Sequence, residues 1–225
     1  FSARELRLEP AVAGRILRVG LPMALQQSIV SCGFLFLQKL VNYYGESMIA
    51  SYTVASRMEN ILMIPILGIQ STMATYAGQN MGAKLPERVS RGLGQGVLVS
   101  LFMTLVLCAG QIVGISLIIG AFRLDEAAAE ICRQHLFASA VAIPIFAVYF
   151  PANGMCQGVG EGFHATFYAL MALGLRVVFA YSLHKTAAFG YTAIWWSQAM
   201  AWTLTLIVCY AHFFRGKWKE KSLIA

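Results

Sequence analysis

The chain has 225 residues, of which 58% are hydrophobic and 12% charged, with a formal net charge of +7. Soluble domains carry roughly 25% charged residues, so there are too few polar side chains to cover a water-facing globule of this size. That balance argues against a soluble enzyme, a disordered tail or a nucleic-acid module, and for lipid as part of the solvent.

In chain order, residues 1–20 hold Arg4, Arg7, Arg15 and Arg18 with Glu5 and Glu9 and no apolar core. This is an amphipathic lead-in rather than a signal peptide, and it is expected to lie inside a longer polypeptide. Six long apolar stretches follow, over residues 16–43, 48–77, 93–122, 127–156, 163–184 and 191–214. Each reaches the roughly 20 residues a helix needs to cross about 30 Å of hydrocarbon. A membrane barrel would show alternation instead. The fold class is therefore all-α: a polytopic membrane protein with a six-transmembrane-helix bundle.

The first span carries Gln27, Ser31, Gln38 and Asn42 within about 60° of one another on a helical wheel. One polar stripe on an apolar helix points to a wet cavity or a polar helix–helix seam, and either is open. Lys39, near the outer end, is placed to snorkel. The second span has a similar line of Thr53, Arg57, Asn60, Ser71 and Thr75, interrupted by Pro65. Glu59 points to a different face from Arg57, so its partner is sought on other spans, in Arg133 or Arg176. Such a pair either holds the bundle together or serves substrate or ion passage.

The remaining spans contribute Pro144 and Pro151, which with Pro22 and Pro65 suit bent or hinged helices. Gly92–Gly96 is the one G-x-x-x-G pair that stands out. The five cysteines, Cys32, Cys108, Cys132, Cys156 and Cys209, are far apart and read as small apolar residues. The four histidines, His135, His164, His184 and His212, lie mostly at span ends without metal-ligand spacing or a nucleophile. No enzyme activity, metal or cofactor is expected, and no phosphate-binding loop supports an ATP-driven pump.

The polar connections fall at residues 45–47, 78–91, 123–126, 157–162 and 185–190. If the spans alternate, the lead-in, the 78–91 stretch and the C-terminal tail share one side. Together they hold eleven of the seventeen Lys and Arg residues. The positive-inside bias then makes both ends cytoplasmic, and the net charge is an orientation signal rather than a nucleic-acid footprint. Trp218 and Tyr43–Tyr44 are expected at the membrane interfaces.

Several segments carry a family resemblance. They run from Gly20-Leu21-Pro22-Met23-Ala24-Leu25-Gln26 through Leu37-Gln38, Val41-Asn42, Gly45, residues 49–57 and Pro65 to Gly78-Gln79-Asn80-Met81-Gly82-Ala83. Together with Asn153-Gly154-Met155-Cys156-Gln157-Gly158-Val159-Gly160-Glu161, they make the chain resemble the multidrug and toxic compound extrusion (MATE) family. The G-Q-N-x-G-A segment after the second span is the most specific part. The resemblance implies a twelve-helix transporter of two six-helix bundles, this chain being the C-terminal one. It implies domains of 1–15 (cytoplasmic lead-in or inter-half linker), 16–214 (six-helix bundle) and 215–225 (basic cytoplasmic tail). It also implies the plasma (inner) membrane, an N-terminal six-helix half as partner, and export of amphipathic, mostly cationic drugs in exchange for H+ or Na+.

On this likeness, Gln27, Ser31, Phe34, Gln38 and Asn42 line the passage with Arg57 and Asn60, while Glu59, Arg133 and Arg176 are the ion-pair or coupling candidates. The NorM-type branch uses a glutamate and an aspartate in this half, where this sequence has Val30 and Phe146. The chain therefore looks closer to the DinF-type branch, with the coupling carboxylate in the other half. A lipid-linked oligosaccharide flippase of the same superfamily is the alternative, on the strength of Arg57, Arg133 and Arg176.

Overall fold

The computed structural model describes residues 28–29, 31–216 and 218. The lead-in at 1–15, Gln27, Val30 and most of the basic tail lie outside the described residues. Within them the chain is helical, with no strand: α1 (helical over 31–43), α2 (Glu46–Gly82), α3 (Pro86–Phe122), α4 (Glu126–Gly158), α5 (Gly162–Leu183) and α6 (Ala193–Phe214), the last preceded by a 3-10 turn at Gly190–Thr192.

Four of these helices, α2 to α5, are long and apolar enough to cross a membrane. They correspond to the second to fifth of the six predicted spans. At 22 residues α6 is also long enough to cross. The described part of α1 is too short for the comparison.

The polar stretch at 78–91 is not a loop. α2 continues to Gly82 and α3 starts at Pro86, leaving a three-residue turn that contains Lys84 at φ 59. Polar residues there do not end a helix, because a helix leaving the bilayer keeps its backbone hydrogen bonds in water. Pro86 at the first turn of α3 sacrifices no intrahelical bond. At the other end of the bundle Gly45, at φ 89, makes the sharp α1–α2 turn. Asp125 caps α4, accepting from the Ala128 N–H at 3.1 Å.

α4 is the central helix: 67% of its apolar window is buried inside the bundle, against 22% for α2 and 17% for α3. Its most extensive pairing is with α2. A Cβ on Gly154 would lie 2.2 Å from the Gln70 carbonyl oxygen, and one on Gly158 2.2 Å from that of Ala74. Gly154–Gly158 is therefore a second G-x-x-x-G pair, and it brings the two backbones together. Gly92 and Gly96 on α3 make room instead for the Tyr76 and Met73 side chains of α2. α2 and α4 run through Pro65, Pro144 and Pro151 without interruption.

α1 closes the opposite side, where Leu37, Leu40 and Val41 pack with Ala138, Ala180, Ile194 and Trp195. Trp218 is not an interface anchor facing outward. It is buried, stacked on Phe213 with ring centroids 5.5 Å apart, and its Nε1–H donates to the Phe213 carbonyl.

Candidate functional site

Tyr52 and Glu59 are seven residues apart on α2, so both face α4. There the Glu59 Oε1 lies 3.1 Å from the Nε2 of His135. The imidazole of His135 is fully buried and sandwiched between Tyr52, with centroids at 5.6 Å, and Trp195 of α6, at 4.8 Å. Gln198, one turn beyond Trp195, and Arg176 of α5 also act on the Glu59 carboxylate. Arg176 is buried, and its guanidinium carbon stands 5.8 Å from the ring of Phe34 on α1. Its Nε, like the Nδ1 of His135, has no hydrogen-bond partner among the described residues.

Five helices thus converge on one carboxylate, one imidazole and one guanidinium, in the half of the bundle nearer the 44–45, 123–125 and 184–192 turns. Glu59 and Arg176 offset one another's charge, and the His135 ring packs against the same carboxylate. Of the two arginines sought for Glu59, Arg176 is the one beside it. Arg133 is exposed on the far side of α4 and pairs with Glu130 at 3.6 Å. His135, Trp195 and Gln198 were absent from the sequence-based site. The signal available for His135 was its place inside an apolar span.

Deeper along α4, Asn153 uses all its hydrogen-bonding capacity. Its Nδ2 donates to the Tyr149 hydroxyl (2.8 Å) and the Ala165 carbonyl (3.0 Å). Its Oδ1 accepts from Gln70 and Gln157, both at 2.9 Å. A saturated amide of this kind locks α2, α4 and the start of α5 together.

The remaining predicted residues lie on the outside of this bundle. Ser31, Phe34, Asn42, Arg57 and Asn60 are exposed and Gln38 is half-buried, donating to Asn42 at 2.8 Å. Thr53, Ser71 and Thr75 continue the exposed line on α2. Thr53 and Thr75 donate their hydroxyl hydrogens to the carbonyls of Ile49 and Ser71, one turn back. By contrast, the exposed face of α3 is apolar, with Leu98, Phe102, Val113 and Leu117 all more than two-thirds exposed. Lipid suits the face of α3, whereas polar groups on α1 and α2 need water or another polypeptide.

Fold and site together define an all-α, polytopic membrane protein with an ionisable cluster inside its bundle and polar faces turned outward. Residues 22–182 match the MatE family model, and the chain belongs to that family of membrane transporters. It is 20% identical over 221 residues to the probable multidrug resistance protein YoeA of Bacillus subtilis, covering 98% of this chain and 48% of YoeA. It is 25% identical over 192 residues to the multidrug export protein MepA of Staphylococcus aureus, covering 84% of this chain and 41% of MepA. The chain therefore spans about half the length of the curated relatives it matches. Among solved structures, it resembles a MATE protein in complex with MaD3S, with a TM-score of 0.83 and 22% identity over 98% of this chain and 50% of the other. A MOP superfamily transporter from Pyrococcus furiosus gives a TM-score of 0.79 at 23% identity, again over 98% of this chain and 50% of the other.

Proposed function

We propose that this chain is the C-terminal six-helix half of a secondary active multidrug exporter that works by alternating access. Its partner is an N-terminal half of the same design, and its substrates are amphipathic, mostly cationic drugs exchanged for H+ or Na+. The observation that carries this reading is the line of exposed polar residues on α1 and on α2 (Ser31, Asn42, Thr53, Arg57, Asn60, Ser71 and Thr75), set against the apolar outward face of α3. A half-transporter needs that division, with lipid on one side and a central cavity on the other. The names of the relatives agree with drug export, and the half-length coverage agrees with one bundle of two.

In this reading Ser31, Phe34, Gln38, Asn42, Arg57 and Asn60 line the cavity, and the sequence pattern adds Gln27, which lies outside the described residues. Residues 1–15 link the halves, 16–214 form the bundle and 215–225 are the basic tail, with both ends cytoplasmic in the plasma membrane. The Glu59–His135–Arg176 cluster ties the bundle together. The coupling carboxylate belongs to the other half, as in the DinF-type branch. In support, the Phe146 side chain is buried and packs against Phe150 and Trp202. A lipid-linked oligosaccharide flippase is the weaker reading. Of its three arginines, Arg176 turns inward and Arg133 pairs with Glu130 on the far side, so only Arg57 faces the cavity.

The test replaces Gln38 and Asn42 together by leucine in the full-length transporter and measures efflux of a cationic dye from cells. Export is expected to fall severalfold at equal expression for at least some substrates. Unchanged export of every substrate tested removes these residues from the lining.

A further inference from the structure

A second titratable cluster lies at the opposite end of the bundle from Glu59. Glu161 closes the α4–α5 turn, His164 sits on the first turn of α5, and His212 on the last turn of α6. One ligand atom from each lies within 4.8 Å of the other two. The carboxylate of Glu161 is buried, and its Oε2 is 3.6 Å from the Nε2 of His212. The two imidazoles face each other with centroids 4.3 Å apart. The other nitrogen of His212, Nδ1, is held by the Tyr168 hydroxyl.

We propose that Glu161, His164 and His212 form a binding site for a divalent transition-metal ion of the zinc class. Two imidazoles and one carboxylate are a zinc donor set that leaves a fourth position for water. Ligands about 2.1 Å from a tetrahedral ion stand about 3.4 Å apart, close to the Glu161–His212 separation. His164, half-buried on the adjacent turn, supplies the third donor, within 4.8 Å of the other two. Glu161 immediately precedes α5 and His164 lies in its first turn, so both donors sit at the same end of that helix. Tyr168 is the outer partner that turns the Nε2 of His212 toward the ion. Magnesium and calcium fit poorly, since both require mostly oxygen ligands. A buried carboxylate beside two imidazoles is also a setting in which a bound cation is favoured. The ion would join the α4–α5 turn, the start of α5 and the end of α6 at a single point.

The experiment uses the purified full-length transporter in detergent, stripped with chelator and freed of it, then titrated with Zn2+ alone by calorimetry and with Co2+ by visible absorption. One Zn2+ per chain is expected, with a tetrahedral Co2+ spectrum that zinc abolishes. His164→Ala and His212→Ala should each weaken binding by more than the tenfold or so expected of Tyr168→Phe, the outer-partner variant. His184→Ala should bind as the unmodified chain does. If His212→Ala fails to fold, His212→Gln and the Co2+ spectrum of the unmodified chain still decide. Absence of stoichiometric binding overturns the site. So does unchanged affinity in both histidine variants, and so does a thiolate-to-cobalt charge-transfer band, which would assign the metal to cysteines.

Discussion

Glu59 and Arg176 are the two charges that this bundle turns inward beside one another, and removing one leaves the other uncompensated. A buried ion stripped of its partner typically costs about 3–5 kcal/mol, whereas replacing both partners is often close to neutral. Glu59→Leu and Arg176→Leu should therefore each lower the thermal unfolding midpoint in detergent, and the double variant should recover part of the loss. Additive losses in the cycle would show that the two side chains do not act on each other. Both residues were legible in the sequence, because a charge in a long apolar run stands out however the helix is oriented. His135 was not. Imidazole is moderately apolar, and nothing within a few residues marks it, since its neighbours Glu59 and Trp195 come from two other helices. The same reason hid the Glu161–His164–His212 cluster, whose third member is 48 positions from the second. Spacing along one helix reveals pairs, and only the crossing of helices reveals triads.

At the scale of the element, helix cores follow from apolar run length, while helix ends and crossings do not. The α2–α3 connection shows the first limit, since residues 78–82 and 86–91 are polar yet helical. Hydropathy reports where lipid stops, which is not where the backbone stops coiling. Gly154–Gly158 shows the second. Its spacing equals that of several other glycine pairs in this chain, and contact alone distinguishes it. Gly158→Ala forces a methyl group to within 2.2 Å of the Ala74 carbonyl oxygen. α2 and α4 must then separate, at a cost of about 1–3 kcal/mol by analogy with overpacked cores. Gly114→Ala, with nothing within 4 Å of the added atom, should be neutral or slightly stabilising through helix propensity. The measurement is the unfolding midpoint of both variants in the same detergent. Equal effects would mean that propensity, and not the close approach, governs these positions.

For the molecule as a whole, the central assignment is which outward surface meets lipid and which meets a wet cavity, and thiol chemistry separates the two. A cysteine reacts with a charged maleimide only as thiolate, and thiolate requires water or a polar neighbour. In the full-length transporter with Cys32→Ser removing the one exposed native thiol among the described residues, Asn60→Cys should react with the membrane-impermeant reagent. A cationic substrate that occupies the cavity should slow that reaction. Val113→Cys, on the apolar face of α3 and 87% exposed in the isolated bundle, should stay unlabelled whether or not substrate is present. Geometric exposure alone predicts the opposite ranking, since Val113 is the more open position once lipid is left out of account. If Val113→Cys labels fast and Asn60→Cys not at all, α3 rather than α2 faces the aqueous path. The second bundle would then have to dock on the other side of this one.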